Sequence, residues 1–240
     1  MRIDQYLTQH FPYSRSRIHL LIADGSVTLG DKVFTKPSQN IDESTDPSLI
    51  NISDSIRYVS RAGLKLYHAL LTWGIYPAGM TCLDIGSSTG GFTDCLLQHD
   101  TTGVDCVDVG TNQLHEKLRS DSRVSVYEQT DIRNFTSDDQ YDLIVCDVSF
   151  ISLAHIITQL PRFAKNNSRC VLLIKPQFEL GKEFLDKQGI VRDDEKINQL
   201  ITEISTLLSQ NHYTDIQCID SPISGGDGNR EVLITGVYQR

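Results

Sequence analysis

From about residue 57 onward, short apolar runs of strand length alternate with segments of helical period. The first such run ends in Leu83-Asp84-Ile85-Gly86-Ser87-Ser88-Thr89-Gly90-Gly91-Phe92. This alternation restricts the chain to a mainly parallel sheet, because parallel strands need crossover connections and the crossover helices bury both faces. The expected strands are 80–85, 102–108, 123–127, 141–147, 169–175, 214–221 and 231–238, and the expected helices are 61–73, 91–99, 111–119, 152–164 and 193–210. No helical pattern separates the last two strands, which predicts an antiparallel hairpin at the sheet edge.

The glycine-rich turn after the first of these strands is where such a sheet would take a nucleotide. Glycine lets the backbone approach a ligand, and a helix N-terminus favours anionic groups. The turn is neither the Gly-x-Gly-x-x-Gly of dinucleotide enzymes nor a P-loop, since no Gly-Lys-Ser/Thr follows. An acidic residue at the strand end with a short Gly/Ser turn suits S-adenosylmethionine. The candidate cofactor residues are therefore Asp84, Gly86, Ser87, Ser88, Gly90, Gly91 and Phe92. Asp108 ends the second strand at a spacing suited to a carboxylate accepting from ribose hydroxyls. Asp131, after the third strand, is placed either near an adenine amine or as an ordinary loop carboxylate. Asp105 points the other way by strand alternation and reads as structural.

Residues 1–55 form a separate small module with its linker, ahead of the nucleotide-binding domain at 56–240. Ile3, Tyr6 and Leu7 have helical spacing. After a turn at Phe11-Pro12-Tyr13, Ser14 can cap a second helix carrying Ile18, Leu21 and Ile22. Strands at 26–29 and 32–34 flank the Gly30-Asp31 turn, residues 36–48 read as loop, and residues 51–55 as the join to the second domain. The net charge of −9 looks wrong for a nucleic-acid binder, but residues 1–40 hold five Arg and Lys against three Asp. A phosphate-binding surface would have to be local and would lie there, with Arg2, Ser14, Arg15, Arg17 and Lys32 either its candidate nucleic-acid contacts or members of an ordinary solvated face.

The longest apolar runs, such as Val171-Leu172-Leu173-Ile174, are strand-sized, and Met1-Arg2-Ile3-Asp4-Gln5-Tyr6 has no signal-peptide core. A cytoplasmic protein without membrane association is expected. Six cysteines without a Cys-x-x-Cys pair read as reduced thiols, and the seven histidines do not cluster as metal ligands, so no metal site is expected.

Lys65, Asp147, Lys175 and Glu231 stand at the edges of four elements of the second domain. A ribose hydroxyl is a poor nucleophile and needs a positioned base; a lysine amine can serve once desolvation or a neighbouring cation favours its neutral form. Lys175 is the expected base, Asp147 its orienting partner, Lys65 a source of positive potential near the developing alkoxide, and Glu231 the group that fixes Lys65 or the hydroxyl. Phe150 and Phe178 follow the same strands and read equally as base-stacking or core residues. The Gly225-Gly226-Asp227-Gly228 run reads either as a loop that orders over substrate or as an exposed turn.

Five motifs occur in order: Val59-Ser60-Arg61-Ala62-Gly63-Leu64-Lys65-Leu66, the glycine turn, Cys146-Asp147-Val148-Ser149-Phe150-Ile151-Ser152, Leu173-Ile174-Lys175-Pro176-Gln177-Phe178-Glu179 and Gly228-Asn229-Arg230-Glu231. Together they resemble the TlyA (haemolysin A) family of ribosomal RNA 2′-O-ribose methyltransferases, related to FtsJ/RrmJ-type enzymes with a Lys-Asp-Lys-Glu tetrad. Ala62 departs from the glycine of Ser-Arg-Gly-Gly-x-Lys versions, and no basic extension precedes the first module. The resemblance implies an α/β, Rossmann-like class I S-adenosylmethionine-dependent methyltransferase domain behind a small N-terminal S4 RNA-binding domain. It also implies the tetrad as catalytic, S-adenosylmethionine as cofactor, and a cytidine of 16S and/or 23S ribosomal RNA within ribosomal particles as substrate, with no stable protein partner. Three competing readings are a non-catalytic RNA-binding assembly factor, the pore-former that the family's older name suggests, and a small-molecule methyltransferase.

Overall fold

The computed structural model describes residues 1–13, 15–23, 25–53, 58–225 and 228–240. It divides into two compact units, Met1–Arg61 and Ala62–Arg240.

The first unit holds helices α1 (Ile3–His10) and α2 (Arg15–Ala23) and strands β1 (Val27–Leu29), β2 (Lys32–Phe34) and β3 (Ile50–Ile52). The strands form an antiparallel sheet in the order β2-β1-β3. β3 occupies a segment that reads as linker in the sequence. Ile50 is buried and pairs with Leu29, so one apolar side chain gives a short polar stretch a reason to join the sheet. Ile3, Tyr6, Leu7, Ile18, Leu21 and Phe34 fill the core between helices and strands. Ser14, the expected helix cap, lies outside the described residues, as do Asp24, residues 54–57, Gly226 and Asp227.

The second unit opens with α3 (Ala62–Trp73) and continues with β4 (Thr81–Ile85), α4 (Gly91–Leu97), β5 (Gly103–Val107), α5 (Glu116–Arg119) and β6 (Val124–Tyr127). It ends with β7 (Tyr141–Cys146), α6 (Leu153–Ile157), β8 (Ala164–Ile174), α7 (Pro176–Glu179), α8 (Asp194–Gln210), β9 (Tyr213–Asp220) and β10 (Val232–Tyr238). The sheet order is β6-β5-β4-β7-β8-β10-β9. β4 through β8 pair in parallel, while β10 runs antiparallel to both β8 and β9. The last two strands do form an antiparallel pair, but only β9 is at the edge. β10 is inserted beside β8, and its all-apolar start, Val232-Leu233-Ile234, is buried as an interior strand requires.

Alternate residues of these strands face opposite helical layers. Leu83, Ile144, Leu172 and Ile234 pack under α6 and α8. On the other face Thr93 of α4 meets Asp84 and Cys106. α8 is held by Ile197, Leu200, Ile204 and Leu208 at helical spacing, and Asp193 caps it by accepting from Lys196 N at 3.0 Å. Two expected helices are shorter than their sequence pattern. The 152–164 segment is helical only to Ile157, with Pro161 in a 3₁₀ turn, because proline cannot donate to a continuing helix. In 111–119 the helix waits until Glu116, since the backbone N–H groups of Asn112 and Gln113 bond Glu128 instead. Five cysteines are buried and Cys218 is exposed.

Replacing the α8 cap, Asp193→Ala, is expected to lower unfolding free energy by about 1 kcal/mol in urea titration with the slope unchanged. An unshifted midpoint would show that the cap contributes nothing.

Candidate active site

Parallel strands bring their C-terminal ends to one edge, and ligands of open α/β sheets bind there where the strand order reverses. In this sheet the reversal lies between β4 and β7. Two backbone bonds tie the strand ends together: Gly86 N donates to Val107 O at 2.8 Å and Asp147 N to Ile85 O at 3.0 Å. Gly86 has φ +78, and a Cβ there would stand 2.8 Å from the Asp147 carbonyl oxygen, so only glycine fits between β4 and β7.

Above this junction is a cleft of about 320 Å³ lined by Gly86, Ser88, Asp108, Asp131, Asp147 and Ser149, with apolar walls from Ile85, Val107, Val109, Ile132, Val148 and Ile156. Gln113, Thr130, Phe150 and Ile151 complete it. Asp108 accepts from Ser88 N at 2.8 Å and from Gly110 N at 2.7 Å, which fixes its carboxylate at the cleft while leaving lone pairs for a ligand. Asp131 also reaches the cleft, but Arg133 holds it at 2.6 Å and keeps its carboxyl below the usual range.

The remaining glycine-turn candidates do not line the cleft. Gly90, at φ +91, makes room for a neighbour: a Cβ would fall 2.2 Å from Leu118 Cδ1. Phe92 and Ser87 are buried, and Gly91 starts α4. Asp84 lies beneath the turn, fully buried, accepting from Thr93 Oγ1 at 2.6 Å with its other oxygen unpartnered. Burial, with the nearby Asp147 and Asp108 charges, pushes it up to about 7. Asp105 faces away from the cleft and accepts from Tyr141 Oη at 2.6 Å.

The four ionisable candidates converge on the same edge as two pairs. Lys175 Nζ stands 2.5 Å from Asp147 Oδ1, close enough for an ion pair although the angle is not that of a hydrogen bond. Its hydrogen bond goes to Ser149 Oγ at 2.9 Å. Lys65 Nζ donates to Glu231 Oε2 at 2.5 Å, and both residues are buried. The last rung between β10 and β8 is Val232 with Ile174, so Glu231 and Lys175 occupy the next position on adjacent strands. Gly225 presses against the Glu231 carboxylate, where a Cβ would lie 2.7 Å from Oε1. Glycine thus adjoins the tetrad at both ends.

Phe150 does not pack in the core: it is 90% exposed with φ +65, and its ring lies 4.8 Å from that of Phe178. Val109, Gln113, Thr130 and Ser149 are not singled out by the sequence; position a few residues past a strand end could have flagged Val109, Thr130 and Ser149, and nothing in the sequence points to Gln113.

In the first unit, Arg2 is engaged by Asp4 at 2.9 and 2.8 Å, Arg17 donates to Tyr58 O at 3.1 Å, and Lys32 lies over the Phe34 ring. Arg15 is exposed. Ser14 falls outside the described residues. Among the described residues no helix is long and apolar enough to cross a membrane, and no cluster could hold a metal ion.

The model of the FtsJ-like methyltransferases matches residues 58–238. Hemolysin A of Brachyspira hyodysenteriae is 37% identical over 238 residues, covering 97% of this chain and 98% of that protein. The 23S rRNA (cytidine-2'-O)-methyltransferase TlyA of Campylobacter jejuni is 35% identical over 247 residues, covering 96% and 97%. A solved chain from Streptococcus thermophilus that carries the hemolysin name superposes with a TM-score of 0.77 at 34% identity, covering 100% of this chain and 88% of that one.

Asp84 supplies a pH test. A folded-state value raised above the ordinary carboxyl value means that its contribution to stability is fully present below about pH 4 and is lost as pH rises through about 7. The stability of the wild type relative to Asp84→Asn should therefore fall by roughly 2–4 kcal/mol between pH 4 and pH 8 in urea titrations. A pH-independent difference would mean that the buried carboxyl does not titrate there.

Proposed function

The chain belongs to the FtsJ-like methyltransferase family, and from that premise we propose that it transfers a methyl group from S-adenosylmethionine to the 2′-oxygen of a cytidine ribose in ribosomal RNA. The observation that carries this reading is the gathering of two lysine–carboxylate pairs at one edge of the sheet, with Asp147 of one pair also lining the cleft.

The cleft residues fit the cofactor. Gly86 leaves open the space that a side chain would fill, Asp108 offers acceptors for ribose hydroxyls, Asp131 and Thr130 stand farther along the same wall, and Val107, Val109 and Ile132 give an apolar surface suited to a purine. Bound there, S-adenosylmethionine would supply an electrophilic methyl carried on a sulfonium. Lys175 would take the proton of the 2′-hydroxyl as general base, while Asp147 and Ser149 hold its nitrogen. Lys65, paired with Glu231, places positive charge where the alkoxide develops. Much of the rate comes from alignment, which is worth roughly 7–11 kcal/mol when reactants are held in near-attack geometry. The exposed Phe150 and its partner Phe178 offer a face on which an extruded base can stack. The first unit is assigned, as an S4-like module, to RNA docking through the exposed Arg15 together with Arg2, Arg17 and Lys32.

The reading is tested with purified 30S and 50S particles, a labelled methyl donor and mapping of ribose methylation. Lys175→Ala should lower the rate by roughly 10²–10⁴-fold, the scale of a lost general base, with cofactor binding by calorimetry retained. A near wild-type rate would remove Lys175 as base. For docking, Arg15→Ala with Arg17→Ala should make the slope of log K for RNA against log salt shallower by about 1.5–2. An unchanged slope would place the RNA contacts elsewhere.

A further inference from the structure

The segment that follows β7 and the segment that follows β8 meet beyond the sheet at three places. At one end are the contacts of Lys175 with Asp147 and Ser149. In the middle Phe150 meets Phe178. At the far end Glu179 accepts from Ser152 Oγ at 2.6 Å and from Leu153 N at 2.8 Å. The two segments are thus tied at both ends, and the Lys175–Asp147 pair is one of the ties.

Glu179 is well placed for this work. It ends α7, the single turn whose N-cap is Lys175, in which Pro176 and the Phe178 N to Lys175 O bond of 2.9 Å fix the backbone. Its oxygens take an amide from the first turn of α6, which has no acceptor within its own helix, and the hydroxyl of Ser152, which itself caps α6 through Ala154 N at 3.2 Å. Hydrogen bonds to a carboxylate are stronger than neutral ones, and a negative charge suits a helix N-terminus. The loop between needs an external tie. Phe150 is exposed and its backbone sits in the left-handed region, so neither burial nor backbone preference holds that residue in place.

We infer that Glu179 is a positioning residue for the methyl transfer: by clamping Ser152 and Leu153 it fixes the loop that carries Asp147 and Ser149, and so holds the Lys175 amine in one place. The inference deepens the reading of Lys175 as the base and rests on it. A glutamate that did no more than cap α6 would leave the surroundings of Lys175 unchanged when removed.

The test compares Glu179→Ala, Glu179→Gln and Ser152→Ala by two readouts. One needs no RNA: the rate at which an amine-reactive ester acylates Lys175, mapped by mass spectrometry and normalised to the surface residue Lys117. Glu179→Ala and Ser152→Ala should change that ratio by about threefold or more, because a loosened loop opens locally without global unfolding. The other is steady-state methylation of ribosomal subunits. Glu179→Ala should lower kcat by roughly 10–100-fold, the cost of a small misplacement, with KM for S-adenosylmethionine within about twofold. Glu179→Gln, which keeps the shape but presents an amide to one of two donors, should fall between. Ser152→Ala should add less than about threefold once Glu179 is already alanine, since the two act as one contact. If Glu179→Ala does not fold, Ser152→Ala, which removes one of the two ties, carries both readouts. An unchanged Lys175 labelling ratio in both variants, or a kcat within about twofold of wild type in Glu179→Ala, overturns the inference. Absence of methyl transfer by the wild-type protein would refute the proposed activity and with it the catalytic part of the inference, whereas the labelling ratio reports separately on whether Glu179 holds the loop around Lys175.

Discussion

Two lysine side chains lie against two carboxyl groups at the edge of a hydrophobic sheet, and the rest of the second unit serves to keep them there. Charges taken out of water are costly unless paired, and loss of one member of a buried pair costs roughly 3–5 kcal/mol because the other is left uncompensated. Lys65 and Glu231 are both buried, so the helix that carries one and the strand that begins after the other are bound to a common position. Lys175 and Asp147 do the same for β8 and β7 nearer the surface. The order of the sheet makes this possible. Inserting β10 beside β8 sets Glu231 next to Lys175, and a simple edge hairpin would have carried it away.

Close approach of backbone is the second requirement. Gly86 lets the ends of β4 and β7 meet beneath the cleft, and Gly225 lets its loop press on the Glu231 carboxylate. Gly90 uses the same freedom for a different end, accommodating Leu118 of α5. Asp84, buried below the turn, stands near two other carboxylates with one oxygen unpartnered. Its presence in the core is a cost that packing alone does not explain.

Much of this was legible in the sequence because it follows from period and punctuation. Buried strands such as Val171–Ile174 and the amphipathic run of α8 declare themselves. So does the place of Lys175 between a buried strand and Pro176. What was not legible depends on contacts between distant segments. The β10 position requires knowing that a hairpin can enter the sheet by its second strand. β3 becomes a strand because Ile50 finds the core of the first unit. A glycine that clears space for a ligand looks the same in sequence as one that clears space for a leucine, which is why Gly90 and Phe92 read as cofactor residues although they pack inside. The partners of Arg2 and of Asp131 are near in sequence, yet nothing in the sequence says that they are engaged rather than free.

The most direct measurement is a crystal structure of the protein with S-adenosylhomocysteine. The expected result places the adenosine between Gly86 and Asp131, its ribose hydroxyls on Asp108, and its sulfur facing the Lys175–Asp147 pair across a gap wide enough for one transferred methyl and a sugar oxygen. Adenosine bound elsewhere, or sulfur turned away from Lys175 with the two ion pairs intact, would contradict the assignment of this edge of the sheet as the place where a ribose is methylated.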